Sequence, residues 1–311
     1  MPIHLECLSH TPLHGYYDPA REVVEEVERI QAAAHERVRA YDPELVVVFA
    51  PDHFNGFFYD MMPPFCIGAA ASGVGDYGSL AGPLSVPRDL AQALAQAVLD
   101  AEFDAALSYR MQVDHGCTQA LEVLAGGLQR YPTIPVFLNA AAAPLTTLRR
   151  TRAFGEAVGR FLAQTGKRVL VIGSGGISHE PPIPDIAHAQ GEVLERLIAG
   201  RNPTRESREA RQARTVAAAK AFAAGESTMH PLNPQWDKAF LAQLADDLPA
   251  VDAMTNEAIS RDGGKSAHEI RTWVAAFGVL SVFGPYRASI DYYRAIPEWI
   301  AGFAGMHATP A

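Results

Sequence analysis

Leu45-Val46-Val47-Val48 is apolar at successive positions and runs directly into "FAPDHFNGFFYD", residues 49–60, where an acid and a histidine stand side by side. An uninterrupted Val-rich run suits a strand covered on both faces of a sheet. Its end then lies at a ligand-binding rim, because open α/β sheets bind ligands beyond the carboxyl ends of their strands. Comparable runs predict strands over 3–9, 44–50, 65–70, 105–109, 134–139 and 168–173. Between them the apolar period changes. Val23, Val24, Val27, Ile30 and Ala34 recur at helical spacing among Glu and Arg and predict a helix over 21–40. Similar patterns predict helices over 88–101, with Pro87 suited to the first turn, and over 146–164. Alternation of this kind predicts an α/β fold: a central mainly parallel or mixed sheet flanked by helices.

After about residue 184 the strand signal fades. "IAHAQGEVLERLIAG", "REARQARTVAAAKAFAAG" and "HEIRTWVAAFGVLSVF" all read as helices, so the C-terminal part is expected to be largely helical. "GRNPTRES" at 200–207 and "HPLNP" at 230–234 read as breaks between helices rather than linkers. With no internal repeat and no low-complexity tract, residues 1–311 are expected to form a single catalytic domain.

Composition narrows the class. Of 311 residues, 48% are hydrophobic and 20% charged, which fits a folded enzyme with a substantial core. The net charge of -9, without a Lys/Arg block, argues against a nucleic-acid or anionic-membrane partner. An anionic substrate would then need local basic groups to overcome the global field. The N-terminal "MPIHLECLSHTPLHG" lacks the basic flank and apolar core of a signal peptide, and no apolar stretch is long enough to span a bilayer, so a cytoplasmic protein is expected. Cys7, Cys66 and Cys117 are widely spaced and read as small buried residues.

Candidate chemistry concentrates at the predicted strand ends. His10 ends the first strand, His53 the second, His115 precedes a helix in "QVDHGCTQALEVL", and His179 follows the turn in "VLVIGSGGISHEPP". If these strands are parallel neighbours, four imidazoles reach one rim. "GSGG" at 173–176 lacks the Lys-Ser/Thr of a P-loop and the full dinucleotide fingerprint. Its glycines are better read as a tight turn that leaves room for a substrate and presents Ser178 and His179. No G-x-S-x-G elbow and no H-E-x-x-H zinc motif is present. What remains is a set of dispersed histidines plus Glu269 on a late amphipathic helix. Two histidines and one carboxylate can form the facial triad of non-haem Fe(II) oxygenases, although dispersed residues do not by themselves assign it.

"CLSHTPL", "FAPDHFNGFFYDMMPPFCIG", "MQVDHGCTQ", "GSGGISHEPPIP", "HPLNPQWD" and "GKSAHEIRTWVAAF" occur in this order along nearly the whole chain. Together they resemble the class III extradiol ring-cleaving dioxygenases; residues 185–228 carry little of the likeness. The resemblance implies Fe(II) held by His10, His53 and Glu269, with His115 as proton donor and His179 as proton acceptor. It implies extradiol cleavage by O2 of a 3-substituted catechol, 3-(2,3-dihydroxyphenyl)propionate or its cinnamate analogue, in aromatic catabolism, by a homo-oligomer. Asp52 either orients a ring nitrogen or caps the turn, and Asp114 is a candidate partner for the adjacent His115. Phe54, Phe57, Phe58 and Tyr59 are candidate walls of an aromatic pocket, and Arg110, Lys265 and Arg271 are candidate partners of the substrate carboxylate. Two other readings stand beside this one. The same His/His/Glu geometry suits a zinc hydrolase, and a binding protein could keep the fold without the metal.

Overall fold

The computed structural model describes residues 3–311. Its strands are β1 (Ile3–Leu8), β2 (Leu45–Ala50), β3 (Phe65–Gly68), β4 (Ala71–Val74), β5 (Ala81–Pro83), β6 (Ala106–Ser108), β7 (Met111–Val113), β8 (Thr133–Leu138), β9 (Val169–Ser174), β10 (Tyr286–Ile296) and β11 (Ala301–Pro310). The helices are α1 (Arg21–Tyr41), α2 (Arg88–Asp100), α3 (His115–Ala120), α4 (Leu148–Leu162), α5 (Gly191–Ala199), α6 (Arg205–Ala223), α7 (Pro234–Asp246), α8 (Asn256–Gly263) and α9 (Ile270–Ser281). All six predicted strands and all three predicted early helices form, with ends shifted by a residue or two. Pro87 sits at the N-cap of α2, just ahead of the first turn.

Eight strands make one mixed sheet in the order β10-β11-β1-β9-β2-β8-β3-β6, and β5-β4-β7 make a small second sheet. The centre of the large sheet is parallel: β1 pairs with β9, β9 with β2, and β2 with β8. The apolar run of β2 is explained by this position. Leu45, Val47 and Phe49 enter one hydrophobic core while Val46, Val48 and Ala50 enter the other, so both faces of the strand are covered. The first core lies under α2, α4 and α9, and the second under α1 and the α3 region.

The C-terminal part is helical as expected from α5 to α9, but it ends in the two longest strands of the fold, which the sequence reading did not anticipate. β10 is only partly buried and mixes Arg, Asp and Tyr, while β11 is rich in Ala and Gly. Neither composition signals a strand; pairing with β1 makes them strands. The small sheet escaped for a related reason, since its strands are only three or four residues long.

Candidate active site

Three adjacent parallel strands, β1, β9 and β2, end at the same rim and deliver His10, His179 and His53 there from the loops that follow them. β7 of the small sheet brings His115 to the same place at the start of α3, and a 3-10 turn leading into α9 supplies Glu269. All five side chains line one cavity with about 1100 Å³ of empty space. The four imidazoles do reach one rim.

Each imidazole is anchored through Nδ1. Ser174 Oγ donates to the Gly116 carbonyl and accepts from His10 Nδ1–H at 3.0 Å. His53 Nδ1 is 3.0 Å from Asp114 Oδ2, His115 Nδ1 is 2.6 Å from Asp76 Oδ2, and His179 Nδ1 is 3.1 Å from the Ile177 carbonyl. Every ring thus keeps Nε2 for other work. Glu269 occupies the centre: His53 Nε2 and His179 Nε2 lie 3.0 and 3.2 Å from its Oε1, and His10 Nε2 lies 3.5 Å from Oε2. The Gly176 N–H holds that second oxygen at 2.8 Å.

Burial and charge pull these groups apart. Burial drives His10 down to about 3 despite Glu269 beside it. Burial would lower His53 too, but the carboxylates of Asp114 and Glu269 outweigh it and hold the imidazole well above its usual range. His179 is raised because Glu269 overcomes its burial, and the surrounding histidines hold Glu269 well below the ordinary carboxyl range although burial opposes this.

The donor set fits a metal ion. Donor separations of 3.0 and 3.5 Å between Glu269 and the two imidazoles match the roughly 3 Å between neighbouring donors on one ion. Both imidazoles have the Nδ1 partner that metal-binding histidines require. Ring nitrogens of His10, His53 and His115 also lie within 4.8 Å of one another, as do ligand atoms of Asp76, Asp114 and His115.

The family described as the catalytic LigB subunit of aromatic ring-opening dioxygenase matches residues 4–304. The chain belongs to this LigB family. A protein of Cupriavidus pinatubonensis named 2,3-dihydroxyphenylpropionate/2,3-dihydroxicinnamic acid 1,2-dioxygenase is 73% identical over 312 residues, spanning 100% of this chain and 99% of the relative. Proteins of the same name from Paraburkholderia xenovorans, and of that name numbered 1 from Pseudomonas putida, are 70% and 55% identical, covering 100% and 99% of this chain and 98% and 99% of their own. A crystal structure of an uncharacterized Escherichia coli K12 protein matches over 98% of both chains with a TM-score of 0.51 at 10% identity, a likeness of fold.

In this LigB-family chain the structure decides some roles that the sequence left open and changes others. Asp52 caps its turn, accepting the N–H groups of Asn55, Gly56 and Phe57 at 2.9 to 3.1 Å, and does not orient His53. Its buried carboxyl is pushed up to about 7 by burial and by the charge of Asp114. Asp114 hydrogen-bonds His53, not its neighbour His115, and also caps α3 through Gly116 N–H. His115 is held by Asp76, which the sequence reading missed; the available signal was a lone acid inside "GVGDYG", where Gly75, Tyr77 and Gly78 all adopt positive φ.

The glycines at 173–176 serve the protein and not the substrate: a Cβ on Gly176 would sit 2.8 Å from the His179 ring, and one on Gly175 would sit 2.9 Å from Glu269 Cβ. Ser178 is buried against Asp237 instead of facing the cavity. His268 turns away from the site to Ser260 and Arg271, and burial lowers it to about 3. Of the four aromatics, only Phe54 lines the cavity; Phe57 stacks on Phe137, and Phe58 is buried in the small cluster behind Phe54, with Tyr59 packed against it. Arg110 and Lys265 are exposed, and Arg271 is spent on Thr146, Asn256 and His268. Cys7, Cys66 and Cys117 are free and buried, as expected. Among the described residues no helix is long and apolar enough to cross a membrane.

Proposed function

We propose that this chain is an Fe(II)-dependent extradiol dioxygenase that opens 3-(2,3-dihydroxyphenyl)propionate and its cinnamate analogue with O2. The observation that carries the reading is the convergence of Nε2 of His10, His53 and His179 on the Glu269 carboxylate, with His115 beside them. The names borne by relatives 73% and 70% identical support the substrate. His10, His53 and Glu269 would hold the metal, which leaves two imidazoles for protons. When bound, ferrous ion would acidify a chelated catechol and relay electrons from the catechol to dioxygen.

The remaining work falls to side chains. His179 donates Nδ1–H to the Ile177 carbonyl, so its Nε2 is the atom that accepts a catechol proton. His115 is fixed through Nδ1 by Asp76, so its Nε2 is the atom that delivers a proton to the opening ring. Two acid/base groups on separate anchors can hold opposite protonation states in one complex. Phe54, Leu13 and Ile183 give the cavity an apolar wall that limits water around the reacting ring.

The test is anaerobic loading with Fe(II), then addition of O2 and 3-(2,3-dihydroxyphenyl)propionate while oxygen uptake and visible absorbance are recorded. Stoichiometric uptake with a yellow, pH-sensitive product is expected. Turnover of another catechol alone would overturn the substrate, and silence with every catechol would favour a zinc hydrolase. The reading includes a cytoplasmic protein and, as the family resemblance implies, a homo-oligomer; sedimentation of the purified chain tests the assembly.

A further inference from the structure

α5 and α6 form an outer wall of the cavity and bring Arg196, Arg211 and Arg214 to it. Of their neighbours on the same segment, Arg201 pairs with Asp60 and Arg205 with Glu209, while Arg208 donates to the Val74 carbonyl at 2.9 Å. The three cavity arginines have no carboxylate partner among the described residues, although the chain carries 35 acidic residues against 26 basic ones. Arg211 donates one amino group to Asn55 Oδ1 at 2.9 Å, which leaves its other edge free. Arg196 and Arg211 are half-buried, and Arg214 is exposed. Burial and the like charges of Arg211 and Arg214 push the Arg196 guanidinium below its ordinary value, so the cations stand close enough to repel one another. Half-buried cations gathered on one cavity wall without counter-charges are stabilised by an anion that arrives with the ligand.

We propose that Arg196 and Arg211 bind the side-chain carboxylate of the substrate, with Arg214 drawing the anion to the mouth. This rests on the ring-cleavage reading, which puts the catechol hydroxyls at the His/Glu end of the same cavity. A planar guanidinium matches a carboxylate with two parallel hydrogen bonds, which an ammonium cannot copy. The assignment also answers the charge problem posed by the composition: a chain of net charge -9 offers an anion a local basic wall. Arg211 is further tied to the reacting centre, since Asn55 Nδ2 donates to Asp114 Oδ2 at 2.9 Å and Asp114 holds His53. Arg196 has no such link and isolates recognition more cleanly.

The experiment compares Fe(II)-loaded wild type, R196Q, R196K and R211Q on 3-(2,3-dihydroxyphenyl)propionate and on 3-propylcatechol, which has the same chain without the carboxylate. Binding of 3-phenylpropionate to the metal-free proteins is measured by calorimetry alongside. R196Q is expected to lower the ratio of kcat/KM for the acid over the alkylcatechol by about 10- to 100-fold, mostly through KM, and to weaken 3-phenylpropionate binding to a similar degree. R196K should recover only part of this. An unchanged ratio in both R196Q and R211Q, or equal losses on both catechols, together with unaltered 3-phenylpropionate binding, would overturn the subsite while leaving ring cleavage intact. If wild type opened neither catechol but lost 3-phenylpropionate binding in R196Q, the carboxylate subsite would stand and the ring-cleavage reading would fall.

Discussion

Asp114 accepts the backbone N–H of His53 at 2.7 Å and faces its Nδ1 at 3.0 Å, across 61 residues of chain. One carboxylate thereby fixes both the main chain and the ring of a proposed metal ligand. D114N keeps the Oδ1 that caps α3 but turns the face toward His53 from acceptor to donor. Metal affinity should fall about 10- to 100-fold, read by competition with a chelator, with little change in helix content.

The raised pKa of His53 gives the metal-free protein a defined pH response. A raised histidine contributes stability that is fully present below its unfolded value and is lost as pH rises through the folded one. The depressed Glu269 contributes stability present above the ordinary carboxyl range and lost as pH falls through its folded value. A metal ion must displace the His53 proton. Metal affinity should therefore rise about tenfold per pH unit while His53 is protonated, and loading should release a proton. Calorimetry in buffers of different ionisation enthalpy measures that release.

H115Q removes the proposed proton donor without removing a proposed metal ligand. Ring opening should slow by about 10²- to 10⁴-fold while catechol binding persists, as read by anaerobic titration followed by single-turnover mixing with oxygen. Equal loss of binding and turnover would instead give His115 a place on the metal.

Asp237 is buried and accepts three hydrogen bonds: from Ser178 N at 2.9 Å, Ser178 Oγ at 2.7 Å and Tyr293 Oη at 2.7 Å. It ties β10 to the loop that carries His179. D237A should cost about 3 kcal/mol, because two buried donors of Ser178 and the half-buried Tyr293 hydroxyl lose their acceptor. Denaturant unfolding gives the value, and the loss of activity should exceed what unfolding at the assay temperature explains.

G176A tests the packing of His179 directly. Its Cβ would meet ring atoms at 2.8 and 2.9 Å, closer than carbon and nitrogen tolerate, so the imidazole must move. The expected result is a large fall in kcat with a nearly unchanged circular dichroism spectrum.

These residues also show what the sequence made legible. His10, His53 and His179 could be found because each follows a strand buried on both faces; for His53 and His179 the apolar run marks its own end, while the strand before His10 carries His4 and Glu6 among its apolar positions. Asp76 was harder to find, since its meaning comes from a contact with His115 39 residues away and a lone acid in a Gly-rich turn is a weak signal by itself. Adjacency misled at Asp114, whose side chain reaches back to His53 while its neighbour in sequence turns to another acid. Arg196 and Arg211 were hidden by periodicity: an arginine on an amphipathic helix reads as solvent-facing until the cavity on that face is known. β10 and β11 were hidden because pairing, not composition, makes them strands.

The position of β1 has a consequence for how the chain is made. Ile3–Leu8 is synthesised before either of its neighbours in the sheet, β9, which begins at Val169, and β11, which ends at Pro310. No local partner can take its hydrogen bonds in the meantime, so one edge of the strand stays unpaired until β9 is made and the other until β11 is made. His10, two residues beyond that strand, gains its Ser174 anchor only once β9 is made and its Glu269 neighbour later still. A chain stopped short of β11 should therefore be aggregation-prone, and the nascent protein should depend on chaperones that shield the unpaired edge of β1.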